Sequence, residues 1–222
     1  MCGRFTLYTP LGEIVSRFAV ESVQAELRPR YNLAPTQEIA VITVNSPRTL
    51  RQMRWGLVPS WAKDLSIGSK MINARAETLL EKPSFRTAVR RRRCLIPTEG
   101  FYEWRQTGGR KQPMYIHLKS GEPFAFAGLW EEWRSPEGEV VRSCSIITVE
   151  PNELMATIHN RMPAILQSEA EEALWLEGGV EEATPLLRPY PAENLEGYSI
   201  STWVNSPAMD MLECILPATP NM

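Results

Sequence analysis

Apolar positions along the chain recur at two different periods, and the switches between them mark out its elements. Between residues 11 and 27, Leu11, Ile14, Val15, Phe18 and Val23 fall near helical spacing, with Pro10 ahead and Pro29 beyond, so the pattern predicts a helix over 11–27. Residues 39–44 (IAVITV) form a short β-branched run, expected as a buried strand, and 49–57 (TLRQMRWGL) alternate as a second, with a turn at Ser46-Pro47. Pro59 to Gly68 reads as a loop, 74–82 as a helix stopped by Pro83, and 84–93 as another short helix. Five β-prone runs follow at 94–97, 101–105, 113–118, 124–130 and 143–149, with turn signals at Gly108-Gly109, Ser120-Gly121 and Ser135–Gly138. Residues 168–178 predict a helix with Ser168 as N-cap and Glu171 at the capping-box position, and 181–187 a further helical segment. Tyr198–Val204 reads as a last strand before a turn at Asn205-Ser206-Pro207. Helices and strands do not alternate regularly, and no repeat or long linker interrupts them. The expectation is one α+β domain over residues 1–222, built on mainly antiparallel strands with peripheral helices.

Composition narrows the class. Hydrophobic residues at 43% and charged residues at 23% suit a globular chain with a real core, and no apolar run is long enough to span a membrane. The start of the chain lacks an apolar targeting segment, and the four cysteines lie far apart with no CxxC pair. The expectations are a reducing, cytoplasmic setting, no membrane association, no metal and no cofactor. The net charge of −2 hides an asymmetry: residues 1–111 carry 19 Lys and Arg against 9 Asp and Glu, residues 112–222 only 5 against 17. A basic half can present a phosphate-binding face, or the two halves can neutralise each other within one fold.

Candidate chemistry begins at Cys2. Removal of Met1 would leave a Cys with a free α-amine beside its thiol, groups whose ordinary pKa values are about 7.7–8.0 and about 8.5. Such a 1,2-aminothiol condenses with an aldehyde, the amine as a Schiff base and the thiol closing a thiazolidine. It could equally attack an amide or ester, or Cys2 could be a small buried residue and nothing more. His159 lies in IHNRMP after a strand and a polar turn, a place suited to proton transfer, whereas His117 lies in an alternating strand and reads as structural. Glu103, in FYEW, would share a strand face with Phe101, opposite Tyr102 and Trp104; buried among rings it could act as a general acid or base, and on an edge it would face water. Asn73 could hold a sugar or carbonyl or cap a helix starting near Ala74, and Arg75 could hold a phosphate. Arg90–Arg93 offers either phosphate contacts or a face paired with the acidic half, and Trp55 and Trp61 either base stacking or core packing.

In order along the chain stand MCGRF at the start, RYNLAP from Arg30, RWGLVP from Arg54, INARAET from Ile72, CLIP from Cys94, GFYEW from Gly100, HNRMP from His159 and VNSP from Val204. This series resembles the SRAP family, the SOS-response-associated peptidases understood as abasic-site sensors, across nearly the whole chain to about Pro207. The resemblance implies a curved, barrel-like β core with a positively charged groove, binding to single-stranded DNA including junctions with duplex, and a covalent thiazolidine crosslink to abasic sites. It implies Cys2 as nucleophile, Asn73 holding the amine and opened sugar, Glu103 serving Schiff-base formation, and His159 as general acid and base on the sugar. It further implies Arg4, Asn32, Trp61, Arg75, Arg86 and Arg161 as DNA contacts, and a monomer that joins the nucleoid when DNA-bound. Two other readings stay open: a cysteine peptidase using Cys2, Glu103 and His159, chiefly to remove its own Met1, and a single-strand-binding module in which Cys2 is dispensable.

Overall fold

The computed structural model describes residues 2–44 and 47–218. In chain order its elements are β1 (Phe5–Leu7), α1 (Leu11–Arg17), β2 (Ser22–Gln24), β3 (Arg30–Leu33), β4 (Glu38–Val44), β5 (Arg48–Trp55), β6 (Asn73–Arg75), α2 (Ala88–Arg91), β7 (Arg93–Thr98), β8 (Gly100–Thr107), β9 (Arg110–Leu118), β10 (Phe124–Arg134), β11 (Val140–Val149), α3 (Glu153–Ala156), β12 (Met162–Pro163), α4 (Glu169–Glu177), α5 (Val180–Ala183) and β13 (Leu195–Ser199), with short 3₁₀ turns between them. Strands β5, β4, β7, β10 and β11 pair in that order, and a parallel contact between β11 and β5 (Cys144 opposite Trp55) closes them into a five-stranded barrel. A second sheet, in the order β13-β9-β8-β1-β3, lies alongside. The rings of Phe5, Trp55, Phe101 and Phe126, all without solvent exposure, meet edge to face between the two. This is the expected α+β fold with a barrel-like core.

The alternating runs became strands where predicted, because period-2 patterns between turn residues have few other solutions. The helical expectations need correction. The helix predicted over 11–27 ends at Arg17: Ala19 takes a left-handed conformation (φ 49°), and Ser22–Gln24 leaves to pair in parallel with β5. The segment predicted as helix 74–82 starts as β6, which pairs in parallel with β11 and so gains sheet hydrogen bonds a helix would forgo. The helix predicted over 84–93 contains only Ala88–Arg91, since Arg93 already belongs to β7. Strand β13 covers Leu195–Ser199, and the end of the strand expected over Tyr198–Val204 is instead part of a 3₁₀ turn, Thr202–Asn205. The turn expected at Ser46-Pro47 lies partly outside the described residues. Helix α4 is capped as predicted, Ser168 Oγ accepting from Glu171 N–H, while the Glu171 carboxylate reaches back to Gln167 N–H at 2.9 Å.

The arginine run splits between the alternatives. Arg93 is buried, and its guanidinium donates to the carbonyls of Trp175 and Gly178 at the end of α4 and to Val89. Arg92 pairs with Glu131 at 3.0 Å, while Arg90 and Arg91 remain exposed. Other cations of the basic half also pair with the acidic half: Arg17 holds Glu172 bidentately, Arg48 holds Glu177 and Arg30 holds Asp210. Much of the sequence asymmetry is thus neutralised inside the fold.

Gly100 opens β8 where the sheet admits no side chain. A Cβ there would meet the Tyr115 ring at 2.4 Å, and that ring is itself buried and joined to Thr6 Oγ1 through its hydroxyl at 3.1 Å. Gly100→Ala should therefore lower the unfolding free energy by about 1–3 kcal/mol, as overpacked cores do. Denaturant titration will measure it, and stability equal to wild type would show that Tyr115 can yield.

Candidate active site

Cys2 directly precedes β1, which is hydrogen-bonded between β3 and β8. Phe5 pairs with Phe101, and Tyr102 N–H donates to Arg4 O at 3.0 Å. Continuing that antiparallel register carries the residues ahead of β1 toward Glu103. Cys2 is fully buried, and its thiol points to Arg4 O at 3.8 Å. Burial, and after it the charge of the nearby Glu103 carboxylate, push this thiol well above its ordinary range.

Glu103 is 3% exposed, so the water-facing edge position does not apply. Its strand lies between β9 and β1, with Met114 opposite it. The predicted faces hold: Phe101 packs into the main core, and Tyr102 joins Tyr115, Ile200 and Val204 in a separate cluster. Asn73 is not a helix cap. The register of β6 on β11 sets it opposite Ile146, and its Nδ2 donates to Cys2 O at 2.8 Å. Its Oδ1 is buried and accepts no hydrogen bond from any described residue.

His159 follows α3, a single helical turn that the sequence pattern did not reveal. Asn152 Oδ1 caps it by accepting from Met155 N–H at 2.8 Å, and His159 N–H closes it on Met155 O at 2.7 Å. The ring Nδ1 lies 3.1 Å from Arg161 N and 3.3 Å from Arg161 O, so the Arg161 backbone fixes the orientation of the ring. His159 lines two cavities. One, of about 540 Å³, is shared with Glu103, Trp104, Gln106, Lys111 and Ile158. The other, of about 450 Å³, is shared with Arg75, Glu150, Asn160 and Arg161. Cys2, Asn73 and Glu103 are thus gathered at one place, with His159 on the wall of the cavity that Glu103 also lines. His117 is structural as expected: Nδ1–H donates to Leu118 O at 2.8 Å and the ring stacks on Tyr115.

The expected DNA contacts fall into two groups. Trp61 is 58% exposed, on a loop that Trp133 Nε1–H anchors through Ala62 O at 2.7 Å, and Arg75 and Arg86 are also exposed. Arg4, Asn32 and Arg161 are committed within the protein. Asn32 is fully buried, its Nδ2 shared among the carbonyls of Val204, Ser206 and Met209. Arg4 donates to Asn32 Oδ1 and to the carbonyls of Val204 and Asn205. Arg161 holds Glu77 bidentately at 2.7 and 3.0 Å, depressing the Glu77 carboxyl pKa, and also donates to Thr148 O. Trp55 is core, as its plainer reading held. Sequence reasoning missed Asp210, whose carboxylate accepts from the N–H groups of Tyr31 and Asn32 and fixes the strand that carries Asn32. It also missed Trp104, whose Nε1–H donates to Asn205 Oδ1 at 2.8 Å. Only the fold brings those partners together. Among the described residues no group of His, Cys, Asp or Glu is arranged to hold a metal ion, and no helix is long and apolar enough to cross a membrane.

A family model described as SOS response associated peptidase (SRAP) matches residues 1–207. The abasic site processing protein YoqW of Bacillus subtilis is 48% identical over 222 residues, covering 97% of this chain and 99% of that protein. The abasic site processing protein HMCES of Gallus gallus is 34% identical over 229 residues, covering 87% of this chain and 68% of that protein. A crystal structure of a protein from Bacteroides thetaiotaomicron superposes with a TM-score of 0.89 at 31% identity, covering 98% of this chain and all of that one.

The proximity of Glu103 to the thiol has a measurable consequence. Removing its negative charge in Glu103→Gln should lower the Cys2 thiol pKa, so half-maximal alkylation by iodoacetamide moves to lower pH than in wild type. The comparison requires the other three cysteines, all buried, to be mutated or resolved by peptide mass. An unmoved alkylation profile would separate the two groups electrostatically.

Proposed function

The chain belongs to the SOS response associated peptidase (SRAP) family, and from that premise we propose that it is an abasic-site processing protein of the DNA-damage response. In this reading it captures the opened sugar in single-stranded DNA covalently, through Cys2 after Met1 is removed. The observation that carries the proposal is the convergence on Cys2: Asn73 holds its carbonyl and Glu103 charges its surroundings, next to a cavity that His159 also lines.

The chemistry would run in two bond-forming steps. Burial and Glu103 keep the thiol protonated, so the α-amine attacks first. Its nitrogen adds to the C1′ aldehyde of the ring-opened sugar, and loss of one water gives the imine. The thiol sulfur then adds to the imine carbon while the proton it gives up ends on nitrogen, closing the thiazolidine without further loss of atoms. Glu103 is placed to carry protons between thiol, amine and leaving water. In the mature chain Asn73 Oδ1, which accepts from no described residue, would take a hydrogen of the α-amine and aim its lone pair. His159 would serve the sugar hydroxyl, assisting ring opening and reversal.

Single-stranded DNA needs phosphate contacts and stacking surfaces rather than base readout. Arg75, Arg86 and Trp61 are exposed for those contacts, and Arg161 can join them by exchanging Glu77 for a phosphate. Arg4 and Asn32 would act from behind, holding the Val204–Met209 segment in place. The protein would work as a cytoplasmic monomer, on strands and on junctions with duplex. The trio Cys2, Glu103 and His159 also suits removal of Met1 by the chain itself.

Protein of the expected mass without Met1, mixed with single-stranded DNA bearing one abasic site, should give a heat-stable shifted band on a denaturing gel. Cys2→Ala should lose that band and keep salt-sensitive DNA binding. Glu103→Gln and His159→Ala should slow formation or reversal of the crosslink, by about 10²–10⁴-fold if each acts as general acid or base. Absence of a band with Met1-free wild type would end the covalent reading.

A further inference from the structure

Beyond its pairing partners, the second sheet continues as a two-stranded ribbon. Strand β1 pairs with β8 at Phe101, and β13 leaves β9 at Met114, while β8 and β9 remain paired outward to Thr107 and Arg110. The ribbon turns at Gly108 and Gly109, both in the left-handed region with φ of 57° and 78°. Residues 105–112 (RQTGGRKQ) contain Arg105, Arg110 and Lys111 and no acidic residue. Register places Arg105 and Arg110 on the outward continuation of the Glu103 face, and Lys111, opposite Gln106, on the continuation of the Trp104 face.

Among the described residues these cations form no ion pair, unlike Arg17, Arg30, Arg48, Arg92 and Arg161. Arg105 Nε is shielded from solvent and bonds to no described residue. Positive charge on a ribbon with open edges also discourages pairing between molecules, but that role does not require any of it to reach the site. Here Lys111 and Gln106 line the very cavity that holds Glu103 and His159. His159 also lines the second cavity, with Arg75, Arg161 and Glu150. The imidazole is thus shared by two cavities, each with cations on its wall.

We propose that the β8–β9 ribbon is a phosphate-binding arm for single-stranded DNA flanking the captured sugar. The strand enters past Arg75 and Arg161 on one side of His159 and leaves along Lys111, Arg110 and Arg105 on the other. This rests on the abasic-site reading and adds the direction of the strand and a second set of contacts.

The test is equilibrium binding of unmodified oligo(dT), one short and one long, across a salt series. Arg110→Gln/Lys111→Gln is compared with Arg90→Gln/Arg91→Gln, which removes the same charge from exposed positions on α2. For the ribbon variant on the long strand, the slope of log Kobs against log salt should shrink by about 1.4, at about 0.7 for each of two phosphates, with affinity at low salt reduced roughly tenfold or more. Arg110→Lys/Lys111→Arg should restore both, and matched melting temperatures will show that the ribbon variant folds. An unchanged slope, or an equal loss in the α2 variant, would overturn the arm. Wild type that binds neither strand would instead overturn the DNA reading on which it rests.

Discussion

Residues close to the start of a chain fray unless something ties them down. Here the tie is β1, three residues inserted between β3 and β8, with Phe5 driven into the aromatic contact between barrel and second sheet. Everything at the site refers to it. The register of β1 on β8 sets Cys2 near Glu103, and the hydrogen bond from Asn73 anchors the Cys2 carbonyl to the barrel through β6 and β11. The position of Cys2 is thus specified from two sheets at once.

Burial on this scale has an electrostatic price. A thiol taken out of water beside a carboxylate resists ionisation. Under the proposed reading, the same carboxylate that raises the thiol pKa would also take its proton.

The distribution of charge obeys a similar economy. Cations with acidic partners knit the two halves of the chain together, as Arg17 does with Glu172, while Arg93 caps the end of α4. Net charge of a segment is consequently a poor guide to what it can bind. Which cations stay exposed, as Arg75 does, and which are paired, as Arg17 is, can be identified only from coordinates.

Local chemistry was legible directly. The alternating runs determined most strands of the barrel, Ser168 determined the start of α4, and the FYEW pattern determined that Glu103 would share a face with Phe101. Cys2 was a candidate because removal of Met1 would make it an aminothiol, and the fold sets Asn73 and Glu103 beside it. What the sequence could not show were pairings between distant residues. Asn73 looks like a helix cap until β11 offers it a parallel partner, and 11–27 looks like one helix until β5 draws Ser22–Gln24 away. Nor does the sequence show that Asn32 is buried, with Asp210 and the Val204–Met209 carbonyls around it. Periodicity reports which face a residue presents, because that depends on neighbours in the chain. Which surface that face meets depends on hydrogen bonds and burial between segments as far as 201 residues apart, as in the bond from Arg4 to Asn205, and only the tertiary structure decides that.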